Sequence, residues 1–235
     1  MQRKQAIPSP NKAATLRKIA GNLVAMRDVV VPIIGDDIFY VAHETLGHIS
    51  LHRYLLERFI EEYGDTGLTE ESKQIIENGE YYGLSKLERV FRSDFQADHR
   101  TYLEEALNKG MIRMDETVES FLRTFRFPLI ITTSALNPIE RWIMPGNYSS
   151  VAYSPKSSNN IVLDSKKPTV YHIFGLIADG RSWVYDEETL LVFLHALHND
   201  DTSSKNLKDY LSSRNCRFLA LGCNLPDWLF RFLWY

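Results

Sequence analysis

Four short apolar runs punctuate the chain, and each closes on small or polar residues. They are Val29-Val-Val-Pro-Ile-Ile-Gly35, Pro128-Leu-Ile-Ile-Thr-Thr-Ser134, Val170-Tyr-His-Ile-Phe-Gly175 and Arg217-Phe-Leu-Ala-Leu-Gly-Cys223. Near-continuous apolar runs of this length are expected of strands covered on both faces, as in a parallel sheet. Strands are therefore expected at 29–34, 129–133, 170–174 and 218–221, with shorter candidates at 150–153 and 160–163. Between them the spacing changes to a helical period. Asn11 is a candidate N-cap for Ala13, Leu16, Ile19, Ala20, Leu23 and Val24. Leu51, Leu55, Leu56, Phe59 and Ile60 form one stripe, and Thr69 caps the next helix. A long helix follows through Leu84, Leu87, Phe91, Phe95, Tyr102, Leu103 and Leu107, ending at Asn108-Lys-Gly110. Asp115 opens a shorter one. Later helices are expected from Asp186 or Glu187, near 206–211, and after Pro226.

Strands alternating with helices predict an α/β class: a Rossmann-like, mostly parallel sheet with a helical insertion after the first strand. The whole of 1–235 reads as one domain, and 42–126 as a helical module inserted within it. In such sheets ligands bind beyond the C-terminal strand ends. The candidate site is thus built from four loops far apart in sequence.

Composition narrows the classes. The chain has 235 residues, 44% hydrophobic and 24% charged, with a net charge of −3. Mixed charge of this kind gives no electrostatic case for nucleic acid or an acidic membrane surface. Every apolar run is far shorter than the roughly 20 residues that span a bilayer. The N-terminal residues lack the apolar core of a signal peptide, so a cytoplasmic location is expected. Two cysteines, Cys216 and Cys223, are too few for a disulfide framework or a four-thiolate zinc site.

The strand ends carry the candidate chemistry. Gly35-Asp36-Asp37 is a strand–glycine turn of the kind that cradles a pyrophosphate on backbone N–H groups. Two carboxylates beside it would repel phosphate, however, and the commoner case is a tight turn in which Asp36 or Asp37 caps a helix. Thr132, Thr133, Ser134 and Asn137 place hydroxyls and an amide at a second strand end. They suit a ribose or amide ligand, and they also suit plain helix capping. His172 and Phe174 are two apart on one strand and are expected on the same face, with Gly175 as the turn. An imidazole there can act as a general base, although a packed, hydrogen-bonded histidine is the commoner case. Gly222, Cys223 and Asn224 could cradle an adenine or ribose, or merely make a turn. Glu44, His48 and His52 are spaced by four and would share a helical face. His52 falls in the arc of Leu51, Leu55 and Phe59, so burial is the expectation rather than metal binding.

Taken in order, these motifs resemble the sirtuin-like domains of bacterial antiphage defence proteins. The resemblance rests on Val31-Pro-Ile-Ile-Gly-Asp-Asp37, Ile131-Thr-Thr-Ser134 with Asn137-Pro-Ile-Glu140, Val170-Tyr-His-Ile-Phe-Gly175 with the Asp186-Glu-Glu-Thr-Leu-Leu191 run, and Leu221-Gly-Cys-Asn-Leu-Pro-Asp-Trp-Leu229. The C-terminal third is similar to members fused to Toll/interleukin-receptor domains. The resemblance implies NAD as substrate or ligand and cleavage of its nicotinamide–ribose bond within an assembly with a sensor subunit. It implies a protein partner or a homo- or hetero-oligomer, and no metal. The zinc-binding cysteines of the deacetylases are absent, so protein deacetylation is not expected.

Carried over by position, the resemblance implies NAD contacts at Gly35, Asp36, Asp37, Thr132, Thr133, Gly175, Gly222, Cys223 and Asn224. Ser134 stands where the family has its catalytic asparagine, Leu136 where it has an aspartate, and Phe174 where it has its histidine base. His172, Ser134 and Asn137 are then the substitute catalytic set. The alternative is a degenerate domain that binds a nucleotide or a partner protein in a defence complex.

Overall fold

The computed structural model describes residues 21–22, 25–26, 28–43, 47–64, 69–77, 95–155, 168–179, 183–184, 187–199 and 205–223. Its centre is a sheet of five parallel strands. In chain order they are β1 (Val30–Ile34), then, after the three short strands described below, β5 (Leu129–Thr132), β6 (Ser149–Ala152), β7 (Thr169–His172) and β8 (Arg217–Leu221). The spatial order is β6-β7-β5-β1-β8. Register is continuous, with Ile33 beside Ile131, Ile131 beside Tyr171 and Ile33 beside Ala220. All five strands therefore finish at one edge of the sheet, as the punctuated runs predict.

Alternation along the strands explains why both faces are apolar. Val30, Ile34, Ile130 and Val170 face one core, shared with Leu55, Phe59, Leu103 and Leu122. Val31, Ile33, Ile131 and Tyr171 face the other, shared with Leu190, Phe193, Leu194 and Leu207. The inner strands β1, β5 and β7 are buried along their whole length and have no polar face to show, hence runs without alternation, whereas edge strand β8 is half-buried to exposed. The observed class is mixed α/β with a Rossmann-like central sheet.

The segment after β1 departs from the expected helical module. Three short strands, β2 (Phe39–His43), β3 (Gly47–Ser50) and β4 (Ile112–Met114), form an antiparallel sheet in the order β3-β2-β4. His48 consequently lies on a strand and His52 in the first turn of a helix, so the two do not share a helical face. The sequence carries no apolar–polar alternation at β2, because Phe39-Tyr-Val-Ala42 is apolar or aromatic throughout; only its burial alternates, with Phe39 and Val41 buried and Tyr40 and Ala42 half-buried. Packed with this sheet are α1 (Leu51–Tyr63), α2 (Glu70–Glu77), α3 (Phe95–Asn108) and α4 (Glu116–Phe125). Ser50 caps α1 by accepting from the Arg53 N–H at 3.1 Å. Asp115 caps α4 by accepting from Thr117 and Val118 at 2.9 and 3.2 Å, as its position before an apolar-periodic run predicts.

The second face of the sheet is covered by α5 (Glu187–Asn199) and α6 (Lys205–Ser213). The expected helix over 11–24 lies almost wholly outside the described residues. The expected strand at 160–163, the helix over 84–91 and the final helix after Pro226 lie outside them altogether. No helix among the described residues is long and apolar enough to cross a membrane.

Candidate functional site

Two turns, those after β1 and β8, meet at the strand ends. The Gly35 N–H donates to Leu221 O at 3.0 Å, and the Asp37 N–H donates to Gly222 O at 3.1 Å. These are donors that a phosphate at this turn would need, and neighbouring carbonyls already hold them. The turns also touch. A Cβ built on Gly35 would lie 2.2 Å from Gly222 O and 2.7 Å from Cys223 Cα, and one on Gly222 would lie 2.4 Å from Ile38 Cγ2. Gly222 has φ +62°, where a side chain is strained in any case. Gly35 is therefore a glycine because another backbone occupies its side-chain space. The fit to a dinucleotide is poor here: the cradle expected at Gly35, Asp36, Asp37 and Gly222 is filled by the protein itself.

Cys223 completes this seam by donating its thiol to Ile33 O at 3.3 Å. Burial, with Asp36 and Asp37 adding to it against the pull of the Leu221 backbone hydrogen bond, pushes the thiol up to about 11. The thiolate is the reactive form. Alkylation of Cys223 at pH 7 is expected to run about a hundredfold slower than that of an ordinary thiol. Mass-spectrometric labelling kinetics of the folded chain check this, and a rate equal to that of a small-peptide thiol would show that the seam is open.

Asp37 is half-exposed and lies 3.8 Å from Nε2 of His52, which is buried on the core side of α1 as its arc predicts. Burial holds the Asp37 carboxyl above its ordinary value, His52 pulls it down and Asp36 pushes it up. The contact ties the β1 turn to the inserted module.

The β5 end is closed by its own hydroxyls. Thr132 Oγ1 donates to Ile34 O at 3.0 Å and accepts from the Ser134 N–H at 3.0 Å. Thr133 Oγ1 lies 3.5 Å from Ile34 O. Ser134 Oγ accepts from the Leu136 N–H at 3.2 Å, and the residue is 1% exposed.

At the β7 end His172 is 0% exposed. Its Nδ1 lies 3.1 Å from Ser134 O, and its Nε2 lies 2.7 Å from Glu140 Oε1. A carbonyl oxygen only accepts, so Nδ1 carries a proton. Nε2 then faces the carboxylate with one proton between them. Glu140 itself is 8% exposed on its side chain. It is carried by a five-residue π turn, Ile139–Ile143, that begins directly after Pro138 and closes with the Met144 N–H on Ile139 O at 2.7 Å. Such wide turns re-aim a helix and recur at functional sites.

Ser134 and His172 are thus brought together, but through the Ser134 carbonyl rather than its hydroxyl. Phe174 does not share the face of His172. The strand stops at His172, Gly175 turns at φ +82°, and Phe174 packs into the core that holds Tyr171. Asn137 lies one residue before Pro138, and its Oδ1 is buried with no hydrogen-bond partner among the described residues. The same holds for Glu140 Oε2. Asn224 lies outside the described residues. Sequence reasoning did not pick out Glu140 as a site residue. Its signal was weak, a single carboxylate three residues after Asn137 and directly before Arg141, which reads as a surface charge pair.

Among the described residues no group of three or more His, Cys, Asp or Glu side chains is placed to hold a metal ion. Comparison of the sequence with protein-family models and with curated proteins gives no match.

Proposed function

We propose that this chain is a non-catalytic, sirtuin-like subunit of a defence complex, acting through protein interaction on a retained Rossmann-like scaffold. One observation carries the reading: His172, on which the catalytic set depends, is fully buried with both ring nitrogens engaged by Ser134 O and Glu140. A general base must reach the proton that it removes, and this imidazole reaches only its own neighbours. The filled turn at Gly35 supports the same reading, because it removes the donors expected for a pyrophosphate.

A second reading is favoured by Glu140. A carboxylate with one oxygen held by His172 and the other unpartnered among the described residues suits an oxocarbenium-like transition state, as in glycosidic cleavage. In that reading NAD is the substrate, Glu140 is the reacting carboxylate, and His172 positions it.

Nicotinamide release from NAD separates the two. It is followed on the purified chain, alone and mixed with the products of neighbouring genes. No release in any mixture is the expected result. Release that Glu140→Gln abolishes in a chain of unchanged stability would overturn the first reading in favour of the second.

A further inference from the structure

The inserted antiparallel sheet ends on β4, whose outer edge carries no strand among the described residues. Its register fixes which backbone groups face outward. Asp115 N–H donates to Ile38 O and Ala42 N–H donates to Met111 O, so Arg113, opposite Tyr40, is the residue whose backbone turns toward β2. In an antiparallel ladder the alternate residues then present their N–H and C=O away from the partner. These are Ile112 and Met114, whose side chains are buried beneath.

Outside this edge lies a groove of about 450 Å³, walled by Lys109, Gly110, Arg113 and Glu119, with Ile112 and Met114 along its floor. That volume falls in the range of ligand clefts, roughly 300–1,000 Å³. Arg113 is exposed and has no carboxylate partner among the described residues. It folds back along the edge instead, and its Nη1 donates to Gly110 O and, at 3.0 Å, to Ile112 O. A guanidinium on its own strand's edge carbonyl blocks that edge against indiscriminate pairing. Glu119, on the wall, is balanced by Arg123 at 2.8 Å, and Lys109 by Glu105. Among the described residues, the uncompensated charge of the groove is therefore the positive charge of Arg113.

We propose that the β4 edge is a docking site for an extended acidic segment of a partner protein, which adds as a fourth strand to the inserted sheet. A carboxylate on the incoming strand takes the Arg113 guanidinium in a paired, charge-assisted contact. That contact draws Arg113 off Ile112 O and frees the edge carbonyl for the main chain. Backbone hydrogen bonds then supply affinity and the guanidinium supplies the preference for acid. The proposal deepens the interaction reading by naming its surface, and it is independent of what happens at the strand ends of the parallel sheet.

The probes are fluorescent eight-residue peptides of alternating threonine and glutamate, titrated by anisotropy against the full chain. Three companions accompany them: threonine with lysine, threonine with glutamine, and the glutamate peptide N-methylated at alternate residues. Binding of the glutamate peptide at least about tenfold tighter than each companion is expected, and its advantage weakens as salt rises. In Arg113→Gln the preference for glutamate over glutamine collapses; the position is exposed, so the variant tests recognition and not folding. Equal binding of the N-methylated peptide would reduce the effect to surface charge and overturn the proposal. So would an unchanged acid preference in Arg113→Gln, or no binding at all. None of these outcomes bears on NAD turnover, so failure here is distinguishable from failure of the interaction reading as decided by nicotinamide release.

Discussion

Glu140→Ala is expected to lower the stability of the fold by about 1–3 kcal/mol, the range for leaving a buried polar group unmet. The physical reason is the company that Glu140 keeps. His172 is completely enclosed, its Nδ1–H is fixed on Ser134 O, and Nε2 has the Glu140 carboxylate 2.7 Å away. Alanine leaves a polar ring nitrogen in an apolar interior with nothing to meet it, and an unmet buried group carries its full desolvation penalty. Glu140→Gln is expected to behave differently. Its amide N–H can donate to Nε2 of the neutral imidazole, so the contact survives and the loss is below about 1 kcal/mol. Denaturant unfolding at neutral pH reads both. In a chain of this size the alanine variant should also melt about 2–12 °C lower. An alanine variant within about 0.5 kcal/mol of the parent would mean that the pair does not brace the strand ends, and that His172 is freer than its burial indicates.

Gly35→Ala is expected to cost about 3 kcal/mol, at the upper end for overpacking, or to prevent folding. The sign is instructive because backbone conformation predicts the opposite. Gly35 has φ −106°, a value open to any residue. Where room exists, such a replacement stabilises by about 0.4–1 kcal/mol through the unfolded chain. Room does not exist: the new methyl would meet Gly222 O at 2.2 Å and Cys223 Cα at 2.7 Å, both backbone atoms that cannot swing aside. Gly146→Ala is the control. That glycine has φ +75° with nothing within 4 Å of its built Cβ, so it should lose only about 1–2 kcal/mol for its left-handed conformation. If Gly35→Ala matched the parent, the β1 and β8 turns would be apart in solution, the expected phosphate donors would be open, and the case for a nucleotide would return.

The inner strands of the parallel sheet were legible because burial on both faces writes itself as uninterrupted apolar residues. Val30–Ile34 and Leu129–Thr132 lie within one or two residues of where the runs place them. The caps were legible for an equally local reason, since Asp115 bonds donors two and three residues on. The antiparallel sheet was not. Its strands are three to five residues long, and β2 pairs with β4 across some seventy intervening residues. The spacing of His48 and His52 also imitates one helical turn at a place where a strand passes into a helix.

The site divides in the same way. That polar residues collect at the ends of apolar strands is a property of the sequence. Which atoms meet there is not. Glu140 lies 32 positions from His172 and reaches it only because β5 and β7 are neighbours in the sheet and a π turn swings the carboxylate inward. Gly35 and Gly222 read in sequence as two candidate ligand turns. Only the adjacency of β1 and β8 turns them into one closed seam. Local chemistry, carried by a few consecutive residues, fixed the strands and their caps. Tertiary packing decided which polar groups were left for a partner, because hydrogen bonds and steric exclusion act between strand ends that no local pattern relates.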